Sequence, residues 1–234
     1  KIYEETQKDH EYVMLVDVSK GRGQDYSTFN LIDISSRPFN QVAVYRNNLI
    51  SPLLFPNIIY KWANSYNKAY VVIESNDQGS LVTNGLYHDL EYENMHVESA
   101  IKANALGIEM TRKVKRLGCS SFKDIIENNK LEICDDDTIL EISTFVAKGV
   151  SYEASTGNHD DLVMNLVMLG YFMSTQYFND MTDINLKDIM FKQKMREIED
   201  DLPPFGFIDD GLPAHPTEEE IEGRQWAIEY MPDI

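Results

Sequence analysis

The segment from Asn158 to about Phe178 (NHDDLVMNLVMLGYFMSTQYF) is apolar on most of its faces. A helix of that kind has no side to offer water and is buried. The rest of the chain has to surround it, and the first half supplies the elements. Tyr12–Val18 (YVMLVDV) is mostly apolar and reads as a strand, followed by the turn-rich SKGRGQD. Ser27–Ile34 and Gln41–Tyr45 read as a second and a third strand, with gaps short enough to favour antiparallel hairpins. Pro52–Asn67 then sets Leu53, Leu54, Ile58, Ile59 and Trp62 at helical spacing. Ala69–Glu74 (AYVVIE) is a buried strand by length and composition. Helix followed by buried strand is the pattern of a crossover unit.

The later pattern is less regular. Gly79–Leu90 reads as helix and Asn94–Val97 as a short strand. Ser120 or Ser121 is placed to cap a helix running to Asn128. Leu131–Cys134 reads as strand, and Asp136–Ala147 as a helix with Ile139, Ile142 and Phe145 on one side. Val150–Ala154 would be a last strand.

At 234 residues the chain fits one domain with an extension. The net charge of −18 is unevenly spread: residues 196–234 hold 12 acids against 2 bases, and five of the eight prolines lie beyond position 200. This gives a domain over 1–180 and an acidic, proline-rich, partly disordered tail over 181–234. The charge therefore does not exclude nucleic acid. Between Ser99 and Lys123 the bases Lys102, Arg112, Lys113, Lys115, Arg116 and Lys123 face the single acid Glu109. No apolar run approaches the ~18 residues of a membrane helix, and no membrane partner is expected. Cys119 and Cys134 form no CxxC and no zinc pattern, which points to a reducing compartment. A P-loop is absent from this sequence. The start at Lys1, without Met, suggests an excised fragment.

Three carboxylates suggest chemistry. Asp17 lies in the first apolar strand, Glu74 ends the fourth, and Asp161 opens the late helix beside Asp160 and His159. If strands one and four are neighbours, Asp17 and Glu74 face each other, and a helix docked by its start brings Asp161 to the same place. Ionised carboxylates do not go inside unpaired. Converging carboxylates repel, and a divalent cation relieves them. Oxygen-only ligands favour Mg²⁺ or Mn²⁺ over Zn²⁺. One or two ions, about 3.5–4 Å apart if two, would let such a site cleave phosphodiesters. Taken singly, each acid has a plainer role: Asp17 capping a turn, Glu74 in a loop, Asp160 and Asp161 complementing a helix dipole with Asn158 as N-cap.

Together, VDVSKGRGQDYSTFN, VVIESNDQG and TGNHDDLVMNLVM resemble the nuclease domain of large terminase subunits, closest to those of T-even-type tailed bacteriophages. The resemblance spans about Tyr3 to Phe178. It implies an α/β fold of RNase H-like (RuvC/integrase-type) topology, a mixed central sheet flanked by helices. It implies Asp17, Glu74 and Asp161 as catalytic metal ligands, with Asp160 as an auxiliary and Asp25 as a further candidate near the metal. The implied activity is Mg²⁺- or Mn²⁺-dependent cutting of concatemeric double-stranded DNA during viral genome packaging. The implied partners are the packaging ATPase domain of the same full-length protein, the portal protein and the small terminase subunit. The implied location is the host cytoplasm, at the assembling capsid.

His159 is either a structural histidine or a phosphate donor and proton shuttle. Gly21 and Gly23 form either a phosphate cradle or a hairpin turn. Lys20 and Arg22 on that turn, and Arg112, Lys113, Lys115 and Arg116, are the candidate DNA contacts. Other readings of the whole chain are a junction resolvase of the same fold and a catalytically idle module that binds DNA or protein.

Overall fold

Side-chain alternation along the first strand decides the layering. In the computed structural model, which describes residues 1–97, 105–148, 151–179 and 182, β1 is Tyr12–Asp17. Its Val13 and Leu15 enter one hydrophobic core, while Tyr12, Met14 and Val16 enter another on the opposite face. The sheet is thus buried on both sides, as a strand apolar at successive positions requires.

β2 (Ser27–Asp33) and β3 (Phe39–Asn47) continue from β1 as an antiparallel meander. β4 (Tyr70–Ile73) returns parallel to β1, and β5 (Leu131–Glu132) lies parallel to β3. The order is β4-β1-β2-β3-β5, a mixed five-stranded sheet. Beyond β4, residues 95 and 108 form bridges to Val71 and Glu74. The strand expected over Asn94–Val97 is reduced to these isolated bridges.

One face carries α1 (Phe55–Ser65), α2 (Gly79–Asn84) and the π-helical turn Gly85–Asp89. α1 buries Phe55, Ile59 and Ala63. The expected helix began earlier, but Leu53 and Leu54 precede it and are exposed. The other face carries α3 (Arg112–Glu127) and α5 (Asp161–Met173). In α5 every residue from Leu162 to Gly170 is buried, as its sequence requires.

Several expected boundaries shift. α3 begins at Arg112, not after Ser120 or Ser121. Thr111 takes an extended conformation and its side chain accepts from Val114 N at 3.2 Å, so the two serines fall inside the helix. α4 is Asp136–Thr144, capped by Asp135, whose carboxylate accepts from Thr138 N at 2.8 Å. The helix expected to reach Ala147 stops there because β6 (Phe145–Lys148) pairs with β7 (Ser151–Ala154) as a separate antiparallel hairpin. Of the face expected inward around α4, Ile142 and Phe145 pack against the core, but Ile139 does not. Ile139 is 48% exposed, whereas Thr138 and Glu141 are buried. Phe172 and Phe178 are core as expected, but Tyr177 is half exposed. The expected tail from residue 183 onward lies outside the described residues, as does Lys102.

α3 and α5 cross with their backbones in contact. A Cβ on Gly118 would stand 2.4 Å from Val167 O, and one on Gly170 would stand 2.6 Å from Gly118 O and 2.7 Å from Phe122 N. These collisions involve main chain, which cannot swing aside as a side chain can. Gly170→Ala should therefore destabilise the fold by about 1–3 kcal/mol, the usual cost of overpacking. Thermal melting tests this; an unchanged melting temperature would show that the crossing is looser than described.

Candidate metal centre

Parity brings the carboxylates together. Asp17 follows Val13 and Leu15 at every second residue, so it belongs to the α5 face. Glu74 follows Tyr70 and Val72 in the same way. β1 and β4 are hydrogen-bonded neighbours, with Val16 opposite Ile73 and Glu74 N donating to Val16 O at 3.0 Å. The two acids therefore leave adjacent strand ends on one side of the sheet. Gly79, at the start of α2, lies against the same turn: a Cβ there would be 1.8 Å from Glu74 O.

Asp161 arrives from above. Its helix is fixed to β2 by side chains that share the α5 face. Thr28 Oγ1 donates to Asp161 O at 3.2 Å, Asn30 Nδ2 donates to Leu162 O at 3.2 Å, and Asn165 Nδ2 donates to Thr28 Oγ1 at 2.9 Å. Thr28 is also the register partner of Asp17. The first turn of α5 thus sits over the end of β1.

Asp17, Glu74 and Asp161 line one cleft of about 260 Å³, with Ser19, Lys20, Asp25, Tyr26, Asn76, Asp77 and Gln78. Burial, then the charges of Glu74 and Asp161, hold the Asp17 carboxyl well above the usual carboxylate range. Burial pushes Glu74 up to about 7; Lys115 opposes this, and Asp77 and Asp160 add to it. Burial and then the Glu141 charge push Asp161 up to about 6, against the Tyr26 N–H it accepts from and nearby His159, with Asp25 adding to the rise. The group is short of positive charge. Among the described residues no three His, Cys, Asp or Glu side chains already stand at the spacing of an ion's ligands. The donors nonetheless fit a hard cation: they are all oxygen, they repel, and the buried Asp161 Oδ2 has no hydrogen-bond partner.

The remaining expected residues are placed as follows. Asp160 does not line the cleft; its Oδ2 accepts from Ala154 N at 3.3 Å. It is the N-cap residue of α5 by position, yet its side chain makes no cap bond. Asn158, expected as the cap, instead bonds back to Ser155. Asp25 and Lys20 line the cleft and Arg22 is exposed on the same loop. Gly21 (φ +64°) would strike Ile50 O at 2.3 Å if it carried a Cβ. The turn itself therefore requires glycine at this position. His159 stands with Nδ1 3.5 Å from Asp161 Oδ2 and its ring edge-on to Tyr26. Arg112, Lys113 and Arg116 are exposed on α3, while Lys115 is half-buried and acts on Glu74.

Three neighbours of the centre escaped the sequence reading: Tyr26, Arg46 and Glu141. Glu141 Oε2 accepts from Leu162 N at 2.7 Å and Val163 N at 3.3 Å. Its other oxygen meets Arg46 Nη2 at 3.1 Å, and the Arg46 guanidinium lies 3.9 Å from the Tyr26 ring centre. Tyr26 lies inside VDVSKGRGQDYSTFN without being singled out by it, and no local motif marks Arg46 or Glu141.

Residues 14–170 match the family model described as the terminase RNase H-like domain. The chain belongs to that family. The terminase match is to the family at large, and the T-even branch suggested by the motifs is narrower than what it shows. Among solved structures, the large terminase nuclease of thermophilic phage G20c with bound magnesium is 22% identical. That alignment covers 73% of this chain and 85% of the other, at a TM-score of 0.59. The large terminase nuclease domain of a Thermus phage is also 22% identical, over 71% of this chain and 82% of its own, at 0.56. The manganese-soaked terminase nuclease domain of human cytomegalovirus is 10% identical over 72% and 85%, at 0.50. These likenesses bear out the expected RNase H-like fold, with its mixed sheet flanked by helices.

Burial of the Asp161 carboxylate, with the Glu141 charge beside it, has a measurable consequence. An unfolded Asp loses its proton near pH ~4, whereas folded Asp161 loses it only near 6. The native state thus binds more protons between these values, so this group costs no stability below ~4 and its full cost above about 6. Asp161→Asn should raise the melting temperature of the metal-free protein at pH 7.5 in EDTA. The gain should shrink as pH falls toward 4. An equal or lower melting temperature at pH 7.5 would show that the charged Asp161 carboxylate is not held there at a cost to the fold.

Proposed function

We propose that this terminase domain is a metal-dependent endonuclease that cuts concatemeric double-stranded DNA during viral genome packaging. The observation that carries the reading is the convergence of Asp17, Glu74 and Asp161, from two strands and a helix, on one cleft with a buried carboxylate oxygen that accepts no hydrogen bond. Related nucleases with bound magnesium, cobalt or zinc, or soaked with manganese, support a divalent cation; the all-oxygen donors favour Mg²⁺ or Mn²⁺.

Asp17, Glu74 and Asp161 hold one or two Mg²⁺ or Mn²⁺ ions in this reading, with Asp25 at the margin; Asp160, expected as an auxiliary, lies off the cleft with its carboxylate on Ala154 N. Such an ion supplies a water activated for attack on phosphorus and neutralises charge on the phosphoryl oxygens. The chain's own residues do the rest. Lys20, at the cleft, and Arg22, on its loop, take the DNA backbone near the cut. His159, beside Asp161, passes a proton to the leaving oxygen in this reading. Arg112, Lys113 and Arg116 offer phosphate contacts on the α3 surface, and Lys115 offsets negative charge at Glu74. In the longer protein the domain works beside a packaging ATPase, at the portal ring and with the small terminase subunit, in the host cytoplasm at the assembling capsid.

A plasmid-nicking assay tests the activity. The protein should convert supercoiled plasmid with Mg²⁺ or Mn²⁺, stop with EDTA, and fall to background as Asp17→Asn, Glu74→Gln or Asp161→Asn. Wild-type rates from Asp17→Asn would show that the chemistry lies elsewhere. The DNA face has its own readout. Each phosphate contact contributes about one unit to the slope of log affinity against log salt. Replacing Arg112, Lys113 and Arg116 by Glu should weaken DNA binding and flatten that slope. An unchanged slope would make this face an ordinary solvated surface.

A further inference from the structure

Two aspartates stand at the start of α5, and neither caps it. An N-cap Asp ordinarily turns its carboxylate back onto the free N–H groups of the first turn. Asp160 spends its Oδ2 on Ala154 N, and Asp161 faces the cleft. The N–H groups of Leu162 and Val163 are instead taken by Glu141, which lies 21 and 22 residues earlier on a different helix. Glu141 is only 4% exposed. Burying a carboxylate there, beside Asp161, is costly unless it is paired and hydrogen-bonded. Arg46 provides the pairing, and it is itself stacked on Tyr26. Tyr26 closes the circuit, since its backbone N–H donates to the Asp161 carboxylate.

We propose that Glu141, held by Arg46, is a positioning residue for the metal centre. By capping α5 from outside, it leaves the Asp161 carboxylate for the cation and fixes the turn that presents it. The inference rests on the nuclease reading above. It goes further in assigning the work of the helix cap to a residue that touches neither ion nor DNA. It also removes the first-turn N–H groups from the donors available to a DNA phosphate. Partners one shell out from a metal characteristically cost about 10–100-fold in metal affinity when lost.

Manganese titration by calorimetry on the full chain provides the test, with the heat abolished by Asp17→Asn taken as the heat of the site. Glu141→Ala should bind Mn²⁺ at this site at least about tenfold more weakly than wild type. Glu141→Gln keeps one acceptor for the N–H groups and should recover most of the loss. If Glu141→Ala does not fold, the pair Glu141→Leu with Arg46→Met replaces the buried ions by apolar groups of similar size, an exchange that folds commonly tolerate. That variant leaves the Leu162 and Val163 N–H groups without their acceptor, so it should fold but melt below wild type, and show the same tenfold loss. A folded Glu141→Ala, or folded double variant, that binds Mn²⁺ within twofold of wild type overturns the positioning role and leaves the nuclease reading intact. A wild-type chain with no site-specific heat overturns the nuclease reading, and this inference with it.

Discussion

The fold turns on the need to hide a helix that is apolar all round. α5 cannot lie on a surface, so α3, α4 and the sheet close around it, and the contact at Gly118 and Gly170 lets α3 approach to backbone distance. Burying the barrel of the helix also buries its beginning. The first turn of any helix carries N–H groups without partners inside the helix. Here those groups lie out of water and must be met by protein. Thr28, Asn30 and Glu141 gather at that turn, to its carbonyls and its N–H groups respectively. The polar end of one hydrophobic helix is thus what organises the centre.

The centre reverses the usual economy of a protein interior. Away from the cleft, Gln41 bridges Asn30 and Thr138, and Asp135 takes bonds from Lys1, Tyr3 and Thr138. Burial pushes Asp135 up, but those bonds outweigh it and bring its carboxyl below the usual range. At the cleft the balance runs the other way, and burial and like charge leave Asp17, Glu74 and Asp161 above it. Asp135 is thus held charged by its donors, whereas burial outweighs the donors available to the acids of the cleft.

Much of this was legible because strand periodicity is simple. Asp17 and Glu74 each continue a two-residue alternation, so their shared face follows once β1 and β4 are paired. The late helix announced its burial by composition. What escaped notice depended on distance in sequence. Glu141 sits in DDDTILEIST, where the apolar residues invite a reading with Ile139 inward. The helix turns Thr138 and Glu141 inward because its partners there are Gln41 and the start of α5. The start of α3 was misplaced for the opposite reason. Serines with capping chemistry are common, and nothing local distinguishes Ser120 from Thr111 until the backbone of Thr111 is seen to be extended.

The bonds that seat α5 also set a schedule. Thr28 and Asn30 reach partners 133 and 132 positions further along the chain. Contacts of that span form late, because the loop between them must close first. During synthesis, β1, β2 and β4 leave the ribosome long before Asp161, and the two strand-borne acids then have no third companion. The cleft is completed only after α5 has emerged and docked. A nascent chain is therefore without its centre until the domain is almost fully made.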